Sequence, residues 1–362
     1  MEQQVKEFES LVELLEDKAS ADRVNCYLEL KAREKGVPLH GLFELTPLCN
    51  LECKMCYVRL SQEQIGNREL LTVAQWKTLI KQAAENGMLN ATLSGGECLA
   101  YPGFDEIYQY LQELGIRVNI ITNGVLLDEK RIAQFKKYRS AVQVSVYGTS
   151  DDAYERVTGK RVFKQVISNL MAAKESGLRI KATITPNRYM GCDDEELIDL
   201  LQSIDIPFSV NANLFEARQE TGRKLEEYDQ SCEDYIRLRR LYMRHMNYVI
   251  PENCFDPQSL PPPNGIKCGA GNSGFSIDWQ GNMYACSMLP DIAAKPLELG
   301  FSTAWMAVHH AASVYPNPIE CRGCKYNRIC TKCVAVHRNG APAGHVNKRV
   351  CRLAEMITRN PK

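Results

Sequence analysis

Three cysteines crowd the stretch TPLCNLECKMCYVRL, residues 46–60: Cys49, Cys53 and Cys56, with three residues between the first pair and two between the second. Thiolates at this spacing can converge on one face of a loop and hold metal. Tetrahedral zinc normally takes four ligands, and no histidine follows at a useful distance. A cubane iron–sulfur cluster held by only three cysteines leaves one iron open to a substrate or cofactor. Farther along, Cys268 is followed after twelve residues by Gly281 and after four more by Cys286; CRGCKYNRICTKC then brings Cys321, Cys324, Cys330 and Cys333, and Cys351 comes last. Taken alone, residues 321–333 have the spacing of a zinc knuckle.

Chemistry at the first triad needs a scaffold that presents it, and the surrounding pattern supplies one. From Leu42 onward, the short apolar runs LFEL, NATLSG, VNIITNG, VQVSVYG, IKATITP and PFSVN alternate with helical segments. Such alternation is the βαβ signature of a parallel sheet, and six strands fit a half-to-full α/β barrel. Thr72 with Gln75, and Asp194 before EELIDLLQS, have the arrangement of helix N-caps. Residues 3–35 read as one or two amphipathic helices and 224–249 as another long one. At IPENCFDPQSLPPPNG the composition turns to Pro, Asn and Gly, which places a boundary near residue 250. The expected organisation is an N-terminal helical segment at 1–40, a core at 41–250 and a cysteine-rich domain at 251–362, in which strand and helix signals thin out.

Bulk properties narrow the partners. The chain has 362 residues, with 44 Lys and Arg against 44 Asp and Glu. This balance gives no basic excess for a nucleic acid or an anionic membrane. The start, MEQQVKEFESLVELLED, is acidic and lacks the basic, apolar character of a signal peptide, and no apolar run approaches a membrane span. The expectation is a cytoplasmic protein without nucleic-acid or membrane partners. Fifteen cysteines in such a chain favour metal over disulfides. Cys26, Cys98, Cys192 and Cys232 lie outside both groups and read as buried small hydrophobes. Cys98, directly after Glu97, is also a speculative catalytic residue that could face a substrate.

The triad after a first strand resembles the radical S-adenosylmethionine (radical SAM) superfamily, whose open iron chelates S-adenosylmethionine and whose electron transfer cleaves it to a 5′-deoxyadenosyl radical. The triad alone could also be a structural site. SGGE, residues 94–97, is similar to the family's Gly-Gly-Glu segment. It implies close approach to the cofactor at Gly95 and Gly96, and hydrogen bonds from the methionyl ammonium to Glu97. ITNG, residues 121–124, sits where relatives bind the ribose, which points to Asn123; it also reads as an ordinary strand-ending turn. VSVYGTSDDAYERVTG resembles the fourth-strand segment whose Ser and Arg meet the carboxylate, here Ser145 and Arg156, although Arg156 also suits a helix surface. Met55 and Tyr57 flank Cys56, where relatives hold adenine partly through backbone groups; either could instead pack the core.

The C-terminal pattern resembles the SPASM extension of radical SAM peptide-modifying enzymes, which binds two auxiliary four-iron clusters. The resemblance assigns Cys321, Cys324, Cys330 and Cys351 to one cluster and Cys268, Cys286 and Cys333 to the other, with Cys254 or an open iron completing it. Two residues separate Cys330 from Cys333 where the family usually has three. The implied fold is α/β, a partial (β/α)6 TIM-like barrel with a C-terminal cysteine-rich iron–sulfur (SPASM) domain. The implied cofactors are a [4Fe–4S] cluster binding S-adenosylmethionine and two auxiliary [4Fe–4S] clusters.

The resemblance implies an oxidoreductase that abstracts hydrogen from a peptide, oxidising or cross-linking a ribosomal precursor through a thioether or carbon–carbon bond, with a flavodoxin or ferredoxin as reductant. About forty residues precede Leu42, too few for a winged-helix leader-binding domain. Sulfatase maturation is disfavoured because Ser287 follows Cys286 where those maturases carry a catalytic Asp; Asp278 reads as a turn residue. The alternatives are a sugar or aminocyclitol dehydrogenase or epimerase, and a non-catalytic iron–sulfur scaffold.

Overall fold

The computed structural model describes residues 18–190, 193–211, 213–245, 265–326, 330 and 333–359. After helix α1 (Lys18–Lys35), six strands alternate with helices: β1 (His40–Glu44), β2 (Asn90–Ser94), β3 (Arg117–Thr122), β4 (Ala141–Val146), β5 (Arg179–Ile184) and β6 (Phe208–Val210). All six pair in parallel with their sequence neighbours, which gives the partial TIM-like barrel. Each strand falls on one of the runs read from the sequence.

Alternation along the strands separates two faces. Phe43, Leu93, Ile120, Val144 and Ala182 are fully buried, and Phe43 meets Trp76 edge-to-face at 6.0 Å. Trp76 belongs to α3 (Val73–Glu85), which follows the short α2 (Gln62–Ile65). A reciprocal capping box starts α3: Thr72 N–H donates to Gln75 Oε1 at 2.8 Å, and Gln75 N–H donates to Thr72 Oγ1 at 3.3 Å. The alternate positions, among them Leu42, Ile121, Gln143, Ser145 and Thr183, line the barrel lumen. Period-two patterning therefore packs helices outside and turns the other side chains, polar Gln143, Ser145 and Thr183 among them, into the lumen.

The sheet does not end with the barrel. β7 (Gly274–Ile277) pairs in parallel with β1, and β8 (Met283–Cys286) and β9 (Leu289–Ala294) continue antiparallel, giving nine strands in the order β6-β5-β4-β3-β2-β1-β7-β8-β9. Segments of four to six residues without clean alternation, such as GFSI and MYAC, leave little sequence signal. Phe275 of β7 packs on Phe43 at 5.8 Å and on Phe301 at 5.2 Å, which joins the added strands to the core.

The expected long helix at 224–249 is two helices, Leu225–Tyr228 and Cys232–His245. Ser231 Oγ accepts from Asp234 N–H at 3.0 Å, so a new N-cap interrupts the periodic pattern. The helix at Asp193–Ser203 begins one residue before Asp194. Among the described residues no helix is long and apolar enough to cross a membrane.

Candidate functional site

The cysteine loop leaves the carboxyl end of β1 and is fixed from below by the end of β2. Gly96 N–H donates to Thr46 O at 2.7 Å and Glu97 N–H to Leu48 O at 2.9 Å. A Cβ on Gly95 would lie 2.4 Å from Thr46 O, and one on Gly96 2.4 Å from Leu48 O. The glycines thus admit the backbone that carries the cysteines, a requirement set by the chain itself. Both also line the cavity above, alongside Cys49, Cys53 and Cys56. This cavity of about 280 Å³ sits at the carboxyl ends of the strands, where barrels place their sites.

The three sulfurs are prepared by the backbone. Leu51 N–H donates to Cys49 Sγ at 3.4 Å and Arg59 N–H to Cys56 Sγ at 3.2 Å. Burial pushes the Cys49 thiol up to about 12, reinforced by the nearby Glu97 and Cys56 charges. Cys53 is raised by burial and then by its two sister cysteines. All three line the same cavity. An all-sulfur donor set with amide N–H groups on the sulfurs therefore fits a three-cysteine iron–sulfur cluster.

Asn123 lines the cavity, and its Nδ2 donates to Asn50 Oδ1 at 2.7 Å and approaches Cys49 Sγ at 3.5 Å. Ser145 and Tyr57 line it as well. Tyr147, to which the sequence reading gave no role, lies against both Cys53 and Ser145.

Three of the expected site residues lie away from the cavity lining. Glu97 does not face the cavity: buried at the end of β2, it accepts from Asn123 N–H at 2.8 Å, Thr122 Oγ1 at 2.9 Å and Leu99 N–H at 3.1 Å. Its side chain is thus tied to the end of β3 and to the turn that follows β2. Cys98 follows it inward; it is fully buried with Sγ 3.4 Å from Ile121 O, and no substrate can meet it there. Arg156 is exposed on the helix Asp151–Thr158 and is not among the cavity residues.

The charge in the cavity comes from elsewhere. Arg59 is the only Asp, Glu, Lys or Arg among the described lining residues. Its Nε is buried without a partner, and Nη2 lies 3.4 Å from Glu52 Oε1. A lone arginine three residues after a cysteine motif carries no sequence signal. A second missed feature is the ion pair between Glu44, at the end of β1, and Arg218. Arg218 N–H also donates to Tyr57 O at 3.0 Å, which closes the segment after β6 onto the cysteine loop.

Two further groups of cysteines form beyond the barrel. Cys321, Cys324, Cys330 and Cys351 line one small cavity. Cys268, Cys286 and Cys333 lie close enough that, after burial, each other's charge raises Cys286 to about 11 and Cys268 contributes to raising Cys333. Cys333 is the N-cap of a short helix, Val334–Arg338. The thiols surround space without converging: among the described residues no three His, Cys, Asp or Glu side chains meet at a single-ion site. Cys254 and Cys192 lie outside the described residues. Cys232 is buried as expected, whereas Cys26 is exposed on α1 among the described residues. Asp278 is a turn residue, accepting from Gln280 N–H at 2.9 Å and Asn282 N–H at 3.0 Å.

Residues 43–204 match the model of the Radical SAM superfamily. The chain is 24% identical over 268 residues to the antilisterial bacteriocin subtilosin biosynthesis protein AlbA of Bacillus subtilis (strain 168), covering 72% of this chain and 57% of that protein. It therefore spans less than two thirds of that relative. It is 28% identical to the PqqA peptide cyclase of Bradyrhizobium diazoefficiens, covering 75% of this chain and 73% of the cyclase. A probable GTP 3′,8-cyclase of Saccharolobus islandicus is 26% identical, covering 73% and 88%. Among solved structures, Streptococcus suis SuiB bound to S-adenosylmethionine shares the fold with a TM-score of 0.67 at 19% identity, over 97% of this chain and 88% of that one. SuiB bound to its precursor peptide SuiA gives 0.66 at 20%, over 91% and 80%. The chain thus carries a radical SAM domain over residues 43–204 and is an enzyme, and the three cysteines of that domain fit a [4Fe–4S] cluster that takes S-adenosylmethionine.

Proposed function

We propose that this enzyme is a peptide-modifying oxidoreductase of the SPASM type, which oxidises or cross-links a ribosomally made precursor in the cytoplasm, with a flavodoxin or ferredoxin as reductant. One observation carries the reading: Ser287 and Met288, directly after Cys286, line the same cavity as Cys49, Cys53 and Cys56. A cysteine group in residues 251–362 is thereby continuous with the wall of the radical site in residues 41–250. The relatives add support, since AlbA is described as a bacteriocin biosynthesis protein, the second relative as a peptide cyclase, and SuiB is seen with a precursor peptide.

Cys49, Cys53 and Cys56 would hold the cluster that takes S-adenosylmethionine. Cys321, Cys324, Cys330 and Cys351 would hold one auxiliary cluster, and Cys268, Cys286 and Cys333 the other, with Cys254 or an open iron completing it. When bound, these groups supply a 5′-deoxyadenosyl radical to take hydrogen from an unactivated C–H bond and one-electron acceptors beside it.

The protein's own part is positioning. Asn123 and Asn50 fix the Cys49 end of the loop, while Gly95 and Gly96 let β2 support it. Gln143, Ser145 and Thr183 present polar groups into the lumen, and Arg59 adds a positive charge suited to a carboxylate. Asn339 donates from Nδ2 to Leu214 O at 2.8 Å and accepts Glu216 N–H at 3.0 Å, so the C-terminal region clamps one cavity wall.

The test is anaerobic reconstitution followed by reduction with S-adenosylmethionine and a candidate precursor peptide encoded beside the gene. We expect about twelve irons per chain from three cubanes, 5′-deoxyadenosine, and a peptide lighter by two hydrogens. An unchanged peptide mass together with turnover of GTP or of a sugar would replace the peptide reading by a small-molecule one. About four irons with zinc present would remove the auxiliary clusters.

A further inference from the structure

His337 lines the cavity shared by Cys321, Cys324, Cys330 and Cys351. Only 6% of its surface is exposed, so it is a polar side chain enclosed next to four thiols. It lies on the helix Val334–Arg338, whose N-cap is Cys333.

Its hydrogen bonding fixes its chemistry. The backbone N–H of Asn347 donates to Nδ1 at 3.3 Å. A backbone amide can only donate, so Nδ1 carries a lone pair and the ring proton resides on Nε2. A doubly protonated ring would set N–H against N–H. No partner for Nε2–H is found among the described residues. The residue lines the cavity of the four thiols, so this donor is available to a group bound there.

We propose that His337 is a positioning and tuning residue for the auxiliary cluster held by Cys321, Cys324, Cys330 and Cys351, donating its Nε2 proton in a hydrogen bond to a cluster or cysteinyl sulfur. The inference rests on the auxiliary-cluster reading of that cavity. Donation to sulfur stabilises the reduced cluster, which carries one more negative charge, and so raises its reduction potential. The neutral tautomer set by Asn347 makes the residue a donor to the cluster while leaving iron ligation to the four thiols.

The experiment compares the reconstituted wild-type enzyme with His337→Phe and His337→Gln by iron analysis and by redox titration monitored by electron paramagnetic resonance. Cys321→Ala identifies which signal belongs to this cluster. We expect iron content to be unchanged in both His337 variants. The midpoint of the identified signal should move to a more negative potential in His337→Phe and stay near the wild-type value in His337→Gln, whose amide can still donate. An unshifted midpoint in His337→Phe with full iron overturns the tuning role and leaves the cluster assignment standing. Loss of about four irons in both variants identifies His337 as a ligand or a structural support, which also overturns the proposal. A wild-type enzyme lacking the third cubane removes both this inference and the reading beneath it.

Discussion

The first cysteine loop and the C-terminal cysteine groups are held by different physics. Cys49, Cys53 and Cys56 ride on a loop wedged into the barrel core: Cys53 is buried, the backbone of 46–48 is hydrogen-bonded to the end of β2, and the two glycines leave no room for a side chain. The C-terminal cysteines are half-buried, except Cys268, which is exposed, and come from segments far apart in the chain. Polar ties hold those segments in place, Arg338 to Asp291 on the added strand β9, and Asn339 to Leu214 and Arg349 to Asp229 on the segments after β6. The radical-generating site is thus a property of the fold's core, whereas the outer groups depend on docking.

The largest effect should separate the two regions chemically. Replacing Cys53 by Ala should cut 5′-deoxyadenosine formation to background and remove about four irons. Replacing Cys324 by Ala should also remove about four irons and abolish the modified peptide, yet leave reductive cleavage of S-adenosylmethionine measurable. Chromatography of 5′-deoxyadenosine alongside peptide mass spectrometry decides this. Equal loss of nucleoside in both variants would mean that the outer group is structurally inseparable from the inner one.

A smaller effect tests the wedge. Gly96→Ala would place a methyl carbon 2.4 Å from Leu48 O, a backbone atom that cannot rotate away. We expect a stability loss near the upper end of overpacking costs, about 1–3 kcal/mol, in urea denaturation of the metal-free chain. Weaker S-adenosylmethionine binding should accompany it in the reconstituted enzyme. Unaltered denaturation would show that the loop is looser than its contacts indicate.

The same contrast explains what the sequence discloses. Strands β1 to β6 are legible because each is a short apolar run between helical segments, and the clearest alternate between a helix-packed and a lumen face, as in Val142, Val144 and Val146 against Gln143 and Ser145. The cysteine groups are legible because metal ligation restricts spacing. What cannot be read are contacts between distant residues. Glu44 and Arg218 are 174 positions apart, and neither belongs to a motif. Arg59 acquires its significance only when the rest of the lining proves uncharged. Glu97 has a recognised residue type at the expected place, but its direction depends on a turn that only the folded backbone fixes. The break at Asp229 to Ser231 depends on a cap that competes with helical periodicity, and short strands such as β8 carry too few residues for a pattern.

The smallest effect probes the docking itself. Asp291 in β9 accepts from Arg338 Nε at 2.5 Å and Nη2 at 2.9 Å, and from Tyr315 Oη at 2.9 Å. The Arg338 contact, aided by Tyr315, holds its carboxyl below the usual range. Because the folded-state pKa is depressed, the stabilisation is complete above the ordinary carboxylate value of about 3.9 and is lost as pH falls through the folded value. Both side chains are partly exposed, so Asp291→Asn should cost only about 0.5–1 kcal/mol near neutrality. Denaturation curves of wild type and variant should stay apart by this amount at neutral pH and converge in acid. If the outer region is docked by such ties, hydrogen exchange in residues 334–338 should quicken in the variant while β1 to β4 stay protected. Equal quickening in both places would show that the two regions unfold as one unit.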